Sequence, residues 1–224
     1  MPLIADPSPS SVTPRRSFLQ RLAAASALLA GATPAVAFAE QGKSASDPWL
    51  AKVTAKHKQV FDAPEPNSGF PSVFAATYIR TMTDTYMLPP NGAQAVVVLR
   101  HSAMPMALTD ALWDKYAIGA MLNVTDPATK APARRNIFWK SREGDTPFPQ
   151  LSIEKVMQMP VTFVACGAAL AVLSARAAAK GGVDAATAKR EWEAGIIPGI
   201  TIVPSGVLAV ARAQEHGCAY CYAG

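Results

Sequence analysis

The sequence predicts a three-layer α/β/α domain on a roughly five-stranded, mostly parallel sheet. Three observations carry that prediction. Ala95-Val-Val-Val-Leu99 is an apolar run with no polar alternation, the pattern of a strand covered on both faces. Val161 to Ala165 is a second such run, bounded by Pro160 and Gly167, and it passes at once into Ala168 to Lys180, almost wholly helix-forming residues. Strand-like and helix-like stretches alternate about five times from Gln59 to the end, as in a parallel sheet with helices on both faces.

Residues 1–39 read as an export leader. Thr13-Pro-Arg-Arg-Ser-Phe-Leu-Gln20 carries paired arginines, Leu22 to Ala37 is moderately apolar, and Ala37-Phe-Ala39 is a small-x-small cleavage site. Together they form a twin-arginine signal, which carries folded chains into a bacterial periplasm. A membrane anchor is the alternative, but the run is alanine-rich, interrupted by Gly and Pro, and short for a bilayer span. No stable membrane insertion is therefore expected after cleavage. Removal takes away Arg15, Arg16, Arg21 and Asp6, three bases and one acid, so the net charge falls from +5 to +3. That charge is too small and too scattered for a nucleic-acid partner. The remaining length fits one domain with a full core.

Residues 40–58 are a polar linker and a short helix capped by Asp47, and the domain proper spans 59–224. Gln59 to Asp62 is the first strand. Pro64, Pro66, Asn67 and Gly69 then break the chain, and Val73 to Met87 places Val73, Phe74, Ala76, Tyr78, Ile79, Met82 and Tyr86 near a helical period. Pro89-Pro-Asn-Gly92 ends that helix before the Ala95 strand. Thr109 or Asp110 opens a helix through Trp113, Tyr116 and Ile118 that ends near Gly119. Residues 123–150 form a long loop whose only apolar knot is Ile137-Phe-Trp139; such a loop serves as a lid or as a contact surface for a partner subunit. Its Arg134 and Arg135 suit an anionic ligand, or belong to a solvated basic loop. A short helix, Leu151 to Met159, leads into the Val161 strand. Beyond the break at Gly181-Gly182, Asp184 caps Ala185 to Ala194, and Gly195 stops that helix. Ile200 to Val203 is a strand, Ser205 is placed to cap Val207 to Glu215, and Cys218 to Tyr222 is the terminal strand.

The chemistry concentrates at Cys166, at the carboxyl end of a strand and the first turn of a helix. In open α/β sheets that edge binds ligands, and a helix amino terminus favours an anion, so the sulfur there reads as a nucleophile. An inert buried cysteine is the alternative. His101 also follows a central strand and is the candidate base of a Cys-His relay; His57 and His216 lie far from it in sequence. His101, Met104 and Met106 with Cys166 also make an alternative copper set, against a reading of the methionines as packing. Nothing else in the sequence calls for a metal or a cofactor. Cys218 and Cys221 have a CxxC spacing without the histidine of a haem attachment site or the second pair of a zinc ribbon. In a strand they lie about 10 Å apart on opposite faces, beyond disulfide reach, unless a frayed terminus brings them together. An oxidising compartment leaves at least one of three cysteines unpaired: Cys166 is the expected free one, and Cys218 its partner if it is bridged. GxGxxG, GxxxxGK[ST] and GxSxG are absent from the sequence.

Three stretches resemble the DsrE/DsrF-like family: Val164-Ala-Cys-Gly-Ala-Ala-Leu170, Ile197-Pro-Gly-Ile-Thr-Ile-Val-Pro-Ser-Gly-Val207 and Ala213-Gln-Glu-His-Gly-Cys-Ala-Tyr220. The resemblance is specific from about Val161 onward, looser from Gln94 to Gly119, and absent between. It implies a DsrE-like fold in which Cys166 matches the cysteine that carries a persulfide in sulfur-relay members. The backbone N–H groups of Gly167 and Ala168 would stabilise the sulfur anion, with Ser205 and Gly206 beside them. It also implies a homo-oligomer and a sulfur donor or acceptor protein as partners. Family members of this kind work in the cytoplasm, whereas this chain carries an export signal and a long insert. The other function class is a non-catalytic module that binds a small ligand or assembles with a partner chain.

Overall fold

Five strands form one sheet in which every pairing is parallel: β1 (His57–Ala63), β2 (Ala93–Leu99), β3 (Val161–Cys166), β4 (Thr201–Val203) and β5 (Ala219–Tyr222), in the order β4-β3-β2-β1-β5. The computed structural model describes residues 47–224, so the expected leader and most of the linker lie outside the described residues. Helices on both faces complete the three-layer α/β/α architecture. They are α1 (Phe70–Tyr86), α2 (Asp110–Lys115), α3 (Ile118–Leu122), α4 (Ile153–Val156), α5 (Gly167–Gly181), α6 (Ala185–Ala194) and α7 (Gly206–Glu215). No helix among the described residues is long and apolar enough to cross a membrane.

The strand order dictates which helices cover which face. From β1 to β4 each step moves one place in the same direction, so right-handed crossovers put their helices on one face. The return from β4 to β5 crosses the whole sheet the other way and puts α7 on the opposite face. The core divides accordingly. Ala95, Val97 and Leu99 of β2 pack with Phe61, Phe163, Leu170 of α5 and Ala75 of α1, while Val96 and Val98 pack with Val60, Val164, and Ala209 and Ala213 of α7. The buried, non-alternating β2 is thus the centre of both layers, as its sequence predicts. Trp49, Leu50 and Val53 join the α7 layer.

Several boundaries differ from expectation for local reasons. The helix expected near Asp47 is only a 3-10 turn, Leu50–Lys52, and the Asp47 carboxylate accepts a bond from Arg212 Nε at 2.8 Å rather than capping it. The single helix expected from Thr109 to Gly119 is two, because Ala117 adopts φ +47° between α2 and α3. Gly119 is required there: a Cβ would stand 2.2 Å from the Ala133 carbonyl oxygen. The connection that follows β2 carries a 3-10 helix, His101–Ala107. The expected Leu151–Met159 helix is one α turn, α4, preceded by a 3-10 turn, Pro149–Leu151. Asp184 caps α6 as predicted, accepting from Thr187 N–H at 2.8 Å.

The 123–150 segment has little regular structure but is built in. Asn136, 1% exposed, donates to the carbonyls of Met106 and Leu108 at 2.8 and 2.7 Å and accepts from Phe138 N–H. Ile137 and Phe138 are buried in the main core. Arg135 forms a two-pronged bond to Asp145, with Asp126 at 3.4 Å, and Arg134 pairs with Asp114. Burial opposes the Asp145 carboxylate, but the Arg135 and Arg142 bonds outweigh it and hold this acid below the usual carboxylate range. Both arginines proposed for an anionic ligand are therefore already neutralised within the segment or by α2. They line a cleft of about 660 Å³ together with Asp110, Asp114 and Asp126.

Candidate functional site

The connections that leave β3 and β4 go to opposite faces, β3 into α5 and β4 into α7, so the sheet parts at its carboxyl edge between these two neighbours. Open α/β sheets bind ligands in the crevice at this kind of switch point. Cys166 pairs with Val203 there, at the last position of the β3–β4 ladder. The cysteine is also the N-cap of α5: its Sγ accepts from Ala169 N–H at 3.3 Å, which satisfies one of the orphan donors of the first turn. A cleft of about 700 Å³ opens in front of it. Cys166 is only 6% exposed, and it contributes to the wall of this cleft.

Two glycines let the backbones converge. At Gly167 a Cβ would lie 2.9 Å from the Val203 carbonyl oxygen, so the β3–α5 turn passes directly against β4. At Gly206 it would lie 2.5 Å from Arg100 Cβ and 3.2 Å from Cys166 Cβ, so the first turn of α7 rests on both side chains. Gly206 thus belongs to the site as a spacer. Ser205 occupies the N-cap position of α7, yet its side chain makes no capping bond; it faces the cleft instead. The expectation that Gly167 and Ala168 jointly offer free N–H groups is corrected for Ala168. Its N–H donates to the Pro204 carbonyl at 3.1 Å, and the sulfur takes Ala169 N–H in its place.

His101 lines the same cleft, exposed and at φ +49°. No hydrogen bond joins it to Cys166 among the described residues, so the relay is an arrangement across a cleft rather than a bonded pair. Met104 and Met106 are wholly buried in the main core, which removes both thioethers from the copper alternative. His57 opens β1 at the opposite, amino edge of the sheet, and His216 follows α7, where its Nε2 lies 2.9 Å from the Val53 carbonyl.

Cys218 and Cys221 stand apart from the site. β5 is three strands from β3, about 14 Å at ordinary strand spacing, so the bridge from Cys166 to Cys218 is out of reach. Cys218 packs in the α7 layer and Cys221 against the other, on opposite faces as their spacing predicts, and all three cysteines are free thiols. Burial pushes both the Cys218 and the Cys221 thiol up, with Lys58 opposing it at Cys218.

Sequence reasoning missed the polar cluster beside the cysteine. Asp62, 5% exposed, is the penultimate residue of β1; Arg100 follows β2 and donates from Nε at 2.5 Å and Nη2 at 2.9 Å to the two Asp62 carboxylate oxygens. Tyr220 of β5 adds a third bond, its hydroxyl donating to Asp62 Oδ2 at 3.1 Å. The β2–β3 register ends at Leu99 opposite Ala165, so Arg100 continues it opposite Cys166. The Asp62 hydrogen bond is the main cause of a raised Arg100 pKa; burial opposes it, and the charges of Asp62, Tyr220 and Cys166 add to it. Burial, then Asp62, likewise pushes Tyr220 up. The available signal was an acid and a base at the ends of two neighbouring apolar strands, where neither residue belongs without a partner.

Comparison with known proteins adds little to this geometry. No family model and no curated protein matches the chain. A solved structure that resembles it is that of MTH1491, a protein of unknown function from Methanobacterium thermoautotrophicum, 18% identical, with a TM-score of 0.37, covering 74% of this chain and 98% of that one. A likeness of that size bears on neither family nor activity.

Proposed function

We propose that this chain is an exported, DsrE/DsrF-like sulfur carrier that holds sulfane sulfur as a persulfide on Cys166. The observation that supports the reading is the placement of Cys166 Sγ: at the switch point of the sheet, on the wall of a cleft, and accepting a helix N–H. In the proposed step the Cys166 thiolate attacks the outer sulfur of a persulfide, R–S–SH. A new S–S bond forms to Cys166, the donor S–S bond breaks, and R–S⁻ leaves with its electron pair, giving Cys166–S–SH. A second thiol, from an acceptor protein, takes the sulfur by the same exchange. No external oxidant is needed. Arg100, fixed by Asp62, lines the same cleft as Cys166 and has N–H donors left over for the incoming persulfide.

A second reading, an assembly or binding module, draws support from the rim. Val172 and Val207 are 67% and 69% exposed on either side of the cleft, and Leu208 is half exposed behind them, an apolar border suited to a second copy or a partner chain. Intact mass after exposure to polysulfide separates the two. The carrier gains one sulfur mass that reductant removes and that a folded Cys166→Ser variant does not acquire; a wild type that stays unmodified overturns the carrier.

A further inference from the structure

Arg176 lies on the face of α5 that lines the cleft, with Ala169, Val172 and Leu173 at helical spacing before it. It is exposed and has no salt-bridge partner among the described residues. The cleft walls contain Arg100, His101 and Arg176 and no Asp or Glu, although acids make up almost half of the chain's charged residues. Asp62 uses two of the five N–H donors of Arg100, which leaves three to a ligand. The cleft volume of about 700 Å³ is that of an organic small-molecule site. An inorganic sulfur chain fills only a small part of it. Ten residues of α5, about 15 Å of helix axis, separate Cys166 from Arg176. An arginine that reaches back toward the helix amino terminus shortens this gap without closing it.

We infer that the cleft selects a low-molecular-weight organic persulfide carrying a carboxylate: Arg176 takes the acid, Val172 and Leu173 cover the apolar body, and the sulfane sulfur reaches Cys166 beside Arg100. This inference rests on the carrier reading and names its donor. The sulfur transfer is the exchange already written, with the carboxylate-bearing thiolate as leaving group. Arg176 is a specificity-determining residue, since it meets the donor's far end and takes no part in the bond change.

The test uses the mature chain as Cys166→Ser, which binds without exchanging sulfur, titrated calorimetrically with reduced glutathione and with its diethyl ester. Glutathione should bind about fivefold more tightly than the ester, the size of one partly screened charged contact. Adding Arg176→Gln, an exposed change that leaves the fold intact, should bring the two affinities together. Equal affinities before that change, or a preference that survives it, overturn the inference. Loading of wild-type Cys166 by inorganic polysulfide is measured in parallel. Loading without an acid preference removes this donor and leaves the carrier; an acid preference on a chain that never loads overturns the carrier and the donor together.

Discussion

Replacing Asp62 by Ala should loosen the site and the fold together. Asp62 accepts two bonds from Arg100 and one from Tyr220. Its side chain is 7% exposed, against 27% for Arg100. Removing one partner of a fully buried ion pair costs 3–5 kcal/mol, whereas a fully exposed pair contributes at most about 1 kcal/mol. The stranded guanidinium keeps partial access to water, and Tyr220, 46% exposed, rehydrates readily. The expected cost is therefore about 2 kcal/mol, or a fall in Tm of about 4–8 °C for a domain of this size. Urea titrations of Asp62→Ala, Arg100→Ala and the double variant measure it, with a coupling energy of about 1–2 kcal/mol expected between the two sites. Asp62→Ala should also slow sulfur loading at Cys166, because Arg100 is then no longer held beside it. Additive single variants with a coupling near zero would refute the positioning argument.

Gly206→Ala puts a methyl group 2.5 Å from Arg100 Cβ and should cost about 1–3 kcal/mol by overpacking, with slower loading at Cys166; thermal unfolding and loading rate check it. Asn136→Ala leaves the Met106 and Leu108 carbonyls without their donor in the core and should cost about 2–3 kcal/mol in urea, with faster amide exchange across 123–150. Burial, and then the bond to Glu191, push Tyr116 up to about 12. Because its folded value exceeds that of the unfolded chain, the stability this group contributes is complete below pH about 10 and is lost as pH rises toward 12; unfolding titrations across that window should show the decline, and Tyr116→Phe should remove it.

Much of the fold was legible because its strongest signals are local. A short, β-branched β2 without alternation, just after Gly92, reads as a strand buried on both faces, and Gly181-Gly182, Asp184 and Gly195 punctuate α5 and α6 where chain chemistry demands it. The interruption at Ala117 was not legible: this alanine takes a positive φ, and the Ala133 backbone packed against Gly119 lies 14 residues further along the chain. The same limit governed the site. Cys166 and His101 were read from their places at strand ends, Ser205 as a helix cap and Gly206 with the family resemblance, and the structure brings all four to one crevice. The bond from Ala168 to Pro204, the Asp62–Arg100–Tyr220 cluster and the distance from Cys166 to Cys218 all depend on strand order, which no spacing within the chain encodes.

The most direct measurement is peptide mapping of the protein after brief exposure to a persulfide donor, reading which of the three cysteines carries the added sulfur. The carrier predicts sulfur on the Cys166 peptide, with Cys218 and Cys221 unmodified because burial disfavours their thiolates and neither faces the cleft. Sulfur that follows exposure alone, richest on the half-buried Cys221 and absent from Cys166, would contradict it.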